Sequence, residues 1–155
     1  MAAKPSTTAI LRANAECPSH SLANISVRDL TMIIDEPTER GGTNTGPTPT
    51  DTLLGALIGC TNVIAHKCAK SLDIDIGHLN IDAKCYFDRG GVTLQEEVDV
   101  PFQKVVLDVV SSDGQATDAE LKRVATEVEK YCPLAKLFVQ AGTTIEQSWR
   151  TSKPT

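Results

Sequence analysis

With 155 residues, 41% of them hydrophobic and 23% charged, the chain has the length and composition of one ordinary globular domain. A net charge of −5 and a pI near 5.1 disfavour a broad nucleic-acid-binding surface or an anionic-membrane surface, since both require clustered basic charge. Aromatic residues make up only 4%, so the core has to be assembled from Leu, Ile, Val and Ala.

The opening stretch MAAKPSTTAI lacks the apolar run of a secretory signal, and no segment reads as a continuous apolar span of bilayer length. The expectation is therefore a cytoplasmic protein with reduced thiols. The five cysteines (Cys17, Cys60, Cys68, Cys85 and Cys132) are odd in number and contain no CxxC pair, so neither a disulfide framework nor a zinc knuckle is indicated. His20, His66 and His78 are scattered, and no metal site is expected.

Residues 1–7 and 150–155 read as loose termini around a single domain over 8–149. Two strands are expected at 8–16 and 22–35, followed by a Gly-, Pro- and Thr-rich loop, PTERGGTNTGPTP, at 37–49. A helix then starts sharply. Thr48 stands at the N-cap, Pro49 at the first helical position and Asp51 at capping-box spacing, and the apolar period carries the helix to about Leu72. On its apolar stripe lie Leu53, Ala56, Leu57, Cys60, Val63 and Ile64.

The segment HLNIDAKCYF alternates as a strand, Asp88–Gly91 reads as a turn, and 93–110 reads as a second extended stretch broken at Pro101. Thr117 and Glu120 mark the start of another amphipathic helix, which Pro133 interrupts directly after Cys132. A short helical piece, LAKLFVQA, ends at Gly142, and TTIEQSW is the last strand. The order of strands, helix, strands, helix and strand reads as α+β.

Taken alone, Cys60 on an apolar helix face reads most simply as inert packing, as do Cys17, Cys68 and Cys85. Cys132 differs, because a Cys-Pro at a helix break offers backbone N–H groups to a sulfur. Asp51 has a ready structural role in the cap, and Arg40 in a Gly-rich loop reads as a solvated charge.

The segment GPTPTDTLLGALIGCTNVIA, 46–65, resembles the first-cysteine helix of the OsmC/Ohr family, with Cys60 eleven residues after Pro49. KYCPLAKLF, holding Cys132 and Pro133, resembles the family's second, late cysteine motif, and DEPTERGGTNTGP resembles its Gly-Gly loop. The resemblance covers about residues 8–149. It implies an OsmC-like fold of antiparallel sheets packed on central helices, in an intertwined homodimer with each active site at the interface. It also implies reduction of organic hydroperoxides to alcohols, with Cys60 as the peroxidatic and Cys132 as the resolving cysteine. Arg40 falls where the family's catalytic arginine is placed, with Arg28 in reserve. The family's Glu after the Pro is replaced by Thr50, with Asp51 one position later, so a catalytic role for Asp51 stays open.

No bound cofactor is implied; an external dithiol, lipoyl in this family, would restore the pair. Leu53, Leu57 and Phe138 are the expected apolar contacts to the peroxide. A hydroperoxide and the dithiol are then the partners, with no nucleic acid and no membrane. Two other readings are kept: a non-catalytic protein of this fold that binds a small apolar ligand at the dimer cleft, and a scaffold with inert thiols.

Overall fold

A computed structural model describes residues 6–152, and the outermost parts of the expected loose termini lie outside this range. The chain divides into two compact units, 1–52 and 53–155, with the boundary inside the first turn of the long helix.

The first unit holds a three-stranded antiparallel sheet of β1 (Asn14–Glu16), β2 (Ala23–Val27) and β3 (Leu30–Ile34), in that spatial order. The expected strand at 8–16 shrinks to three residues, because β1 pairs with β2 only from Asn14↔Ser26 to Glu16↔Asn24. The single strand expected at 22–35 is instead a hairpin. Val27 faces Leu30, and the two-residue link Arg28–Asp29 reverses the chain with Arg28 at φ 58. Arg28 takes a left-handed conformation usually held by Gly or Asn, so the sequence carried no turn signal there.

After β3 the loop makes one 3₁₀ turn, Thr38–Arg40. Gly42 lies so close to the Glu36 backbone that a Cβ would sit 1.8 Å from its carbonyl oxygen, so only glycine fits. Helix α1, Pro49–Ser71, follows as expected. The Thr48 Oγ1 accepts from the Asp51 N–H at 3.2 Å, and the Asp51 carboxylate accepts from the Thr48 N–H at 3.2 Å and the Thr48 hydroxyl at 2.7 Å. This is a closed capping box, a device that contributes about 1 kcal/mol to helix stability. By length and composition α1, with 23 residues and a mean hydropathy of 1.2, meets the requirement for a membrane span, which corrects the expectation that no segment does. Its apolar character has a local use: Leu57, Ala65, Cys68 and Ala69 belong to the core of the second unit.

That core is completed by a second sheet and two further helices. Strand β4 (His78–Phe87) pairs antiparallel with β5 (Phe102–Ser112), and β6 (Thr144–Thr151) pairs parallel with β5, so this sheet is mixed rather than wholly antiparallel. The parallel pairing requires a crossover. Helices α2 (Asp118–Tyr131) and α3 (Pro133–Gln140) supply it. Val105, Leu107 and Val109 of β5 are buried with Leu121, Val124 and Val128 of α2. Their strand neighbours on the opposite face, Lys104 and Asp108, pair with Glu146 at 3.3 Å and Arg150 at 2.8 Å. This is the period-two division of a sheet with one covered face.

Two further segments differ from the expectation. The stretch 93–101 is not strand. Bonds from Thr93 N–H to the Arg89 carbonyl and from Gln95 N–H to the Gly90 carbonyl close it into turns before Pro101. Residues 150 and 151 are not a loose end but the last ladder positions of β6, opposite Val110 and Ser111. Helix α2 starts as expected on a full capping box between Thr117 and Glu120.

Candidate active site

Cys60 is placed by the helical period of α1. It sits three residues after the fully buried Leu57 and one before the buried Thr61, so it lies at the edge of the buried stripe and stays partly exposed. Cys132 is placed by Pro133. The residue before a proline is driven out of the helical region. Cys132 accordingly adopts φ −73 and ψ 110 and serves both as the end of α2 and as the N-cap of α3. Its sulfur does what a Ser or Thr oxygen does at such a cap, accepting the Ala135 N–H at 3.4 Å.

These two local rules bring together sulfurs from residues 72 apart. The Cys132 thiol donates to Cys60 Sγ at 3.2 Å, about 1.2 Å beyond a disulfide bond length. Cys132 is fully buried, at 0% exposure. Burial pushes its thiol up from the ordinary value, against the pull of the Ala135 N–H, and donation to Cys60 pushes it up further. Burial thus disfavours ionisation of Cys132. Cys68 and Cys85 are also pushed up by burial, Cys68 additionally by the Glu127 charge. Cys17 is exposed.

In the first unit, Arg40 closes the 3₁₀ turn and holds its Nε 2.9 Å from Glu36 Oε2. Its carboxylate partner is thus Glu36, while Asp51 spends its carboxylate on the helix cap. Arg28 lies in the β2–β3 turn.

The sequence reading missed Asp35. It is completely buried, and its carboxylate accepts from the Glu36 N–H at 2.8 Å and from both the N–H and the hydroxyl of Thr43 (3.0 and 2.6 Å) and of Thr45 (3.1 and 3.1 Å). The Thr43 hydroxyl bond, helped by the backbone donors and opposed by burial, holds this carboxyl well below the usual carboxylate range. The alternation of Thr43 and Thr45 after the Gly-Gly was the available signal, since hydroxyls spaced by two can converge on one acid.

The three expected peroxide contacts sit in or against the core of the second unit. Leu57 and Phe138 are buried, with Phe138 edge-on to Phe102 at 5.7 Å, and Leu53 is half-buried against the same cluster. A pocket of about 440 Å³ also lies in this unit, with apolar walls from Leu107, Val128, Ala135, Val139 and Ile145 and polar ones from Thr61, Glu129, Lys136, Gln140 and Gln147. Two of these adjoin the sulfur pair: Thr61 follows Cys60, and Ala135 donates to Cys132.

The family model described as OsmC-like protein matches residues 42–148, which include both cysteines. No curated protein sequence matches the chain. Among solved structures, an OsmC-like protein from Mycoplasma pneumoniae is similar at a TM-score of 0.77 and 17% identity, over 94% of this chain and 99% of that one. An organic hydroperoxide resistance protein OsmC from Legionella pneumophila is similar at 0.70 and 12%, over 94% and 99%. The organic hydroperoxide resistance protein OhrB of Bacillus subtilis is similar at 0.63 and 16%, over 91% and 98%. At these identities the likeness is one of fold.

Proposed function

Because the chain belongs to the OsmC-like protein family, we propose that it is a thiol peroxidase that reduces organic hydroperoxides to alcohols through Cys60 and Cys132. The observation that carries the reading is the 3.2 Å approach of one buried sulfur to one partly exposed sulfur. Inert packing thiols have no need of a partner, whereas a peroxidatic and a resolving sulfur must be adjacent.

In the proposed cycle the Cys60 thiolate attacks the distal oxygen of ROOH. The O–O bond breaks, ROH departs, and Cys60 carries a sulfenic acid. The Cys132 sulfur then attacks Cys60 Sγ, a disulfide forms and water leaves. A thiol with the ordinary pKa of about 8.5 is only about 3% ionised at pH 7. A cation that favours the thiolate therefore raises the rate, and Arg40 is assigned that role with Arg28 in reserve. Glu36 supplies the carboxylate that orients Arg40, a task that Asp51, held in the cap, is not needed for. Leu53, Leu57 and Phe138 are assigned to the apolar surroundings of the peroxide, in keeping with an organic rather than an inorganic substrate.

The working form is taken to be a cytoplasmic homodimer regenerated by an external dithiol such as a lipoyl group. Gly55 and Gly59 of α1 support close approach of a second copy. Both are exposed, and a Cβ built on either would meet nothing within 4 Å. The 440 Å³ cavity favours a second reading, a non-catalytic protein that holds a small apolar ligand. Peptide mapping after one equivalent of cumene hydroperoxide separates the two. The peroxidase reading expects a Cys60–Cys132 disulfide and one equivalent of alcohol. Intact peroxide with both thiols still free would end it.

A further inference from the structure

Resting on that reading, we infer that the Cys60–Cys132 disulfide is reopened from one side only: the incoming thiol bonds to Cys60 Sγ, and Cys132 is the leaving sulfur. Thiol–disulfide exchange is an in-line displacement, so the attacking thiolate must reach the sulfur from behind the S–S bond, and access decides which sulfur is taken. Cys132 has no exposed surface, whereas Cys60 is partly exposed. The buried sulfur is enclosed at the junction of α2 and α3, with the Ala135 N–H directed at it at 3.4 Å. The sulfurs need to approach by only about 1.2 Å from their 3.2 Å separation to reach bonding distance. Docking of a further subunit covers surface, so by itself it does not expose Cys132.

One thiolate of a dithiol forms an S–S bond to Cys60, and the Cys60–Cys132 bond breaks. The electron pair passes to Cys132 Sγ, which the Ala135 N–H meets as it departs and which then takes up a proton. The second thiol of the reductant, as thiolate, attacks its own sulfur in the mixed disulfide, closing the reductant's disulfide and releasing Cys60. Two electrons and two protons have moved from the dithiol to the cysteine pair. Leaving-group quality alone would argue for the opposite regiochemistry, since burial makes negative charge on Cys132 costly. Access overrides it, because attack on Cys132 would first require the α2–α3 junction to open.

The test forms the disulfide with diamide, so that it is independent of any peroxide chemistry. Oxidised protein is mixed with glutathione, which cannot resolve its own mixed disulfide. Samples are quenched at pH 2 over a time course and mapped under acid. The expected result is a glutathione adduct on Cys60 that exceeds any on Cys132 at least tenfold when extrapolated to zero time. An equal or larger share on Cys132 overturns the inference, and so does failure of diamide to join the two cysteines. Should glutathione add to Cys60 while cumene hydroperoxide leaves the thiols untouched, the regiochemistry stands and the peroxidase assignment alone falls.

Discussion

Removing the second sulfur tests how closely the pair is coupled. With Cys60 Sγ and Cys132 Sγ 3.2 Å apart, the reacting atoms are already at near-attack distance. Intramolecular partners held at about 3–3.5 Å reach effective concentrations on the order of 10⁵ M or more. Against an external nucleophile at about 1 mM that is an advantage on the order of 10⁸, and a thousandfold loss through imperfect alignment still leaves about 10⁵. In the wild-type protein the Cys60 sulfenic acid should therefore never accumulate. One equivalent of cumene hydroperoxide in the presence of dimedone should give a protein two hydrogens lighter and free of adduct. In Cys132→Ser the competitor is gone, and the same mixture should give one dimedone adduct per chain on Cys60. Excess peroxide should then drive this variant to the sulfinic acid. Intact-mass analysis with peptide mapping reads all three outcomes. Stoichiometric dimedone labelling of the wild type would show that the sulfurs do not act as a pair in solution, and the reasoning from their contact would be refuted.

Arg40→Ala should slow the second-order reaction with cumene hydroperoxide by about tenfold to a hundredfold, the range expected when a charge-assisted hydrogen bond worth about 1.5–3 kcal/mol is lost; an unchanged rate, with a slowed Arg28→Ala, would move the assignment to the hairpin turn. The buried thiols Cys68 and Cys132 should make stability fall in alkali. Both are raised in the folded state, so from about pH 8.5 upward the unfolded chain releases thiol protons that the folded chain keeps. Their contribution is intact below that pH and is lost at up to about 1.4 kcal/mol per pH unit per thiol as pH rises. Urea midpoints under reducing conditions at pH 7, 8.5 and 9.5 check this, and a constant midpoint would contradict it.

Where local chemistry was decisive, the sequence was legible. Thr48, Pro49 and Asp51 announced the start of α1, Thr117 and Glu120 that of α2, and Pro133 the break at Cys132; each acts within four residues, and each is found as read. Strand β4 was equally plain, since its alternation is unbroken from His78 to Phe87. Legibility failed where a residue took a conformation outside its habit or answered to a distant partner. The left-handed Arg28 hid a hairpin, and the turn-forming bonds of Thr93 and Gln95 overrode the extended look of 93–101. Asp35 looked like a strand end until the two threonines eight and ten residues on closed over it.

Cys132 was visible as a candidate from the chain alone, because the proline fixed its backbone, and Cys60 became visible only through its resemblance to the OsmC/Ohr motif, since its helix face by itself read as packing. Their meeting was not visible, since no local rule relates residues 72 apart. Nor could the sequence say which of the two would be sealed from solvent. Burial is the joint product of α1, α2, α3 and the sheet, and a thiol's cost of ionisation depends on the solvent that all of them exclude together.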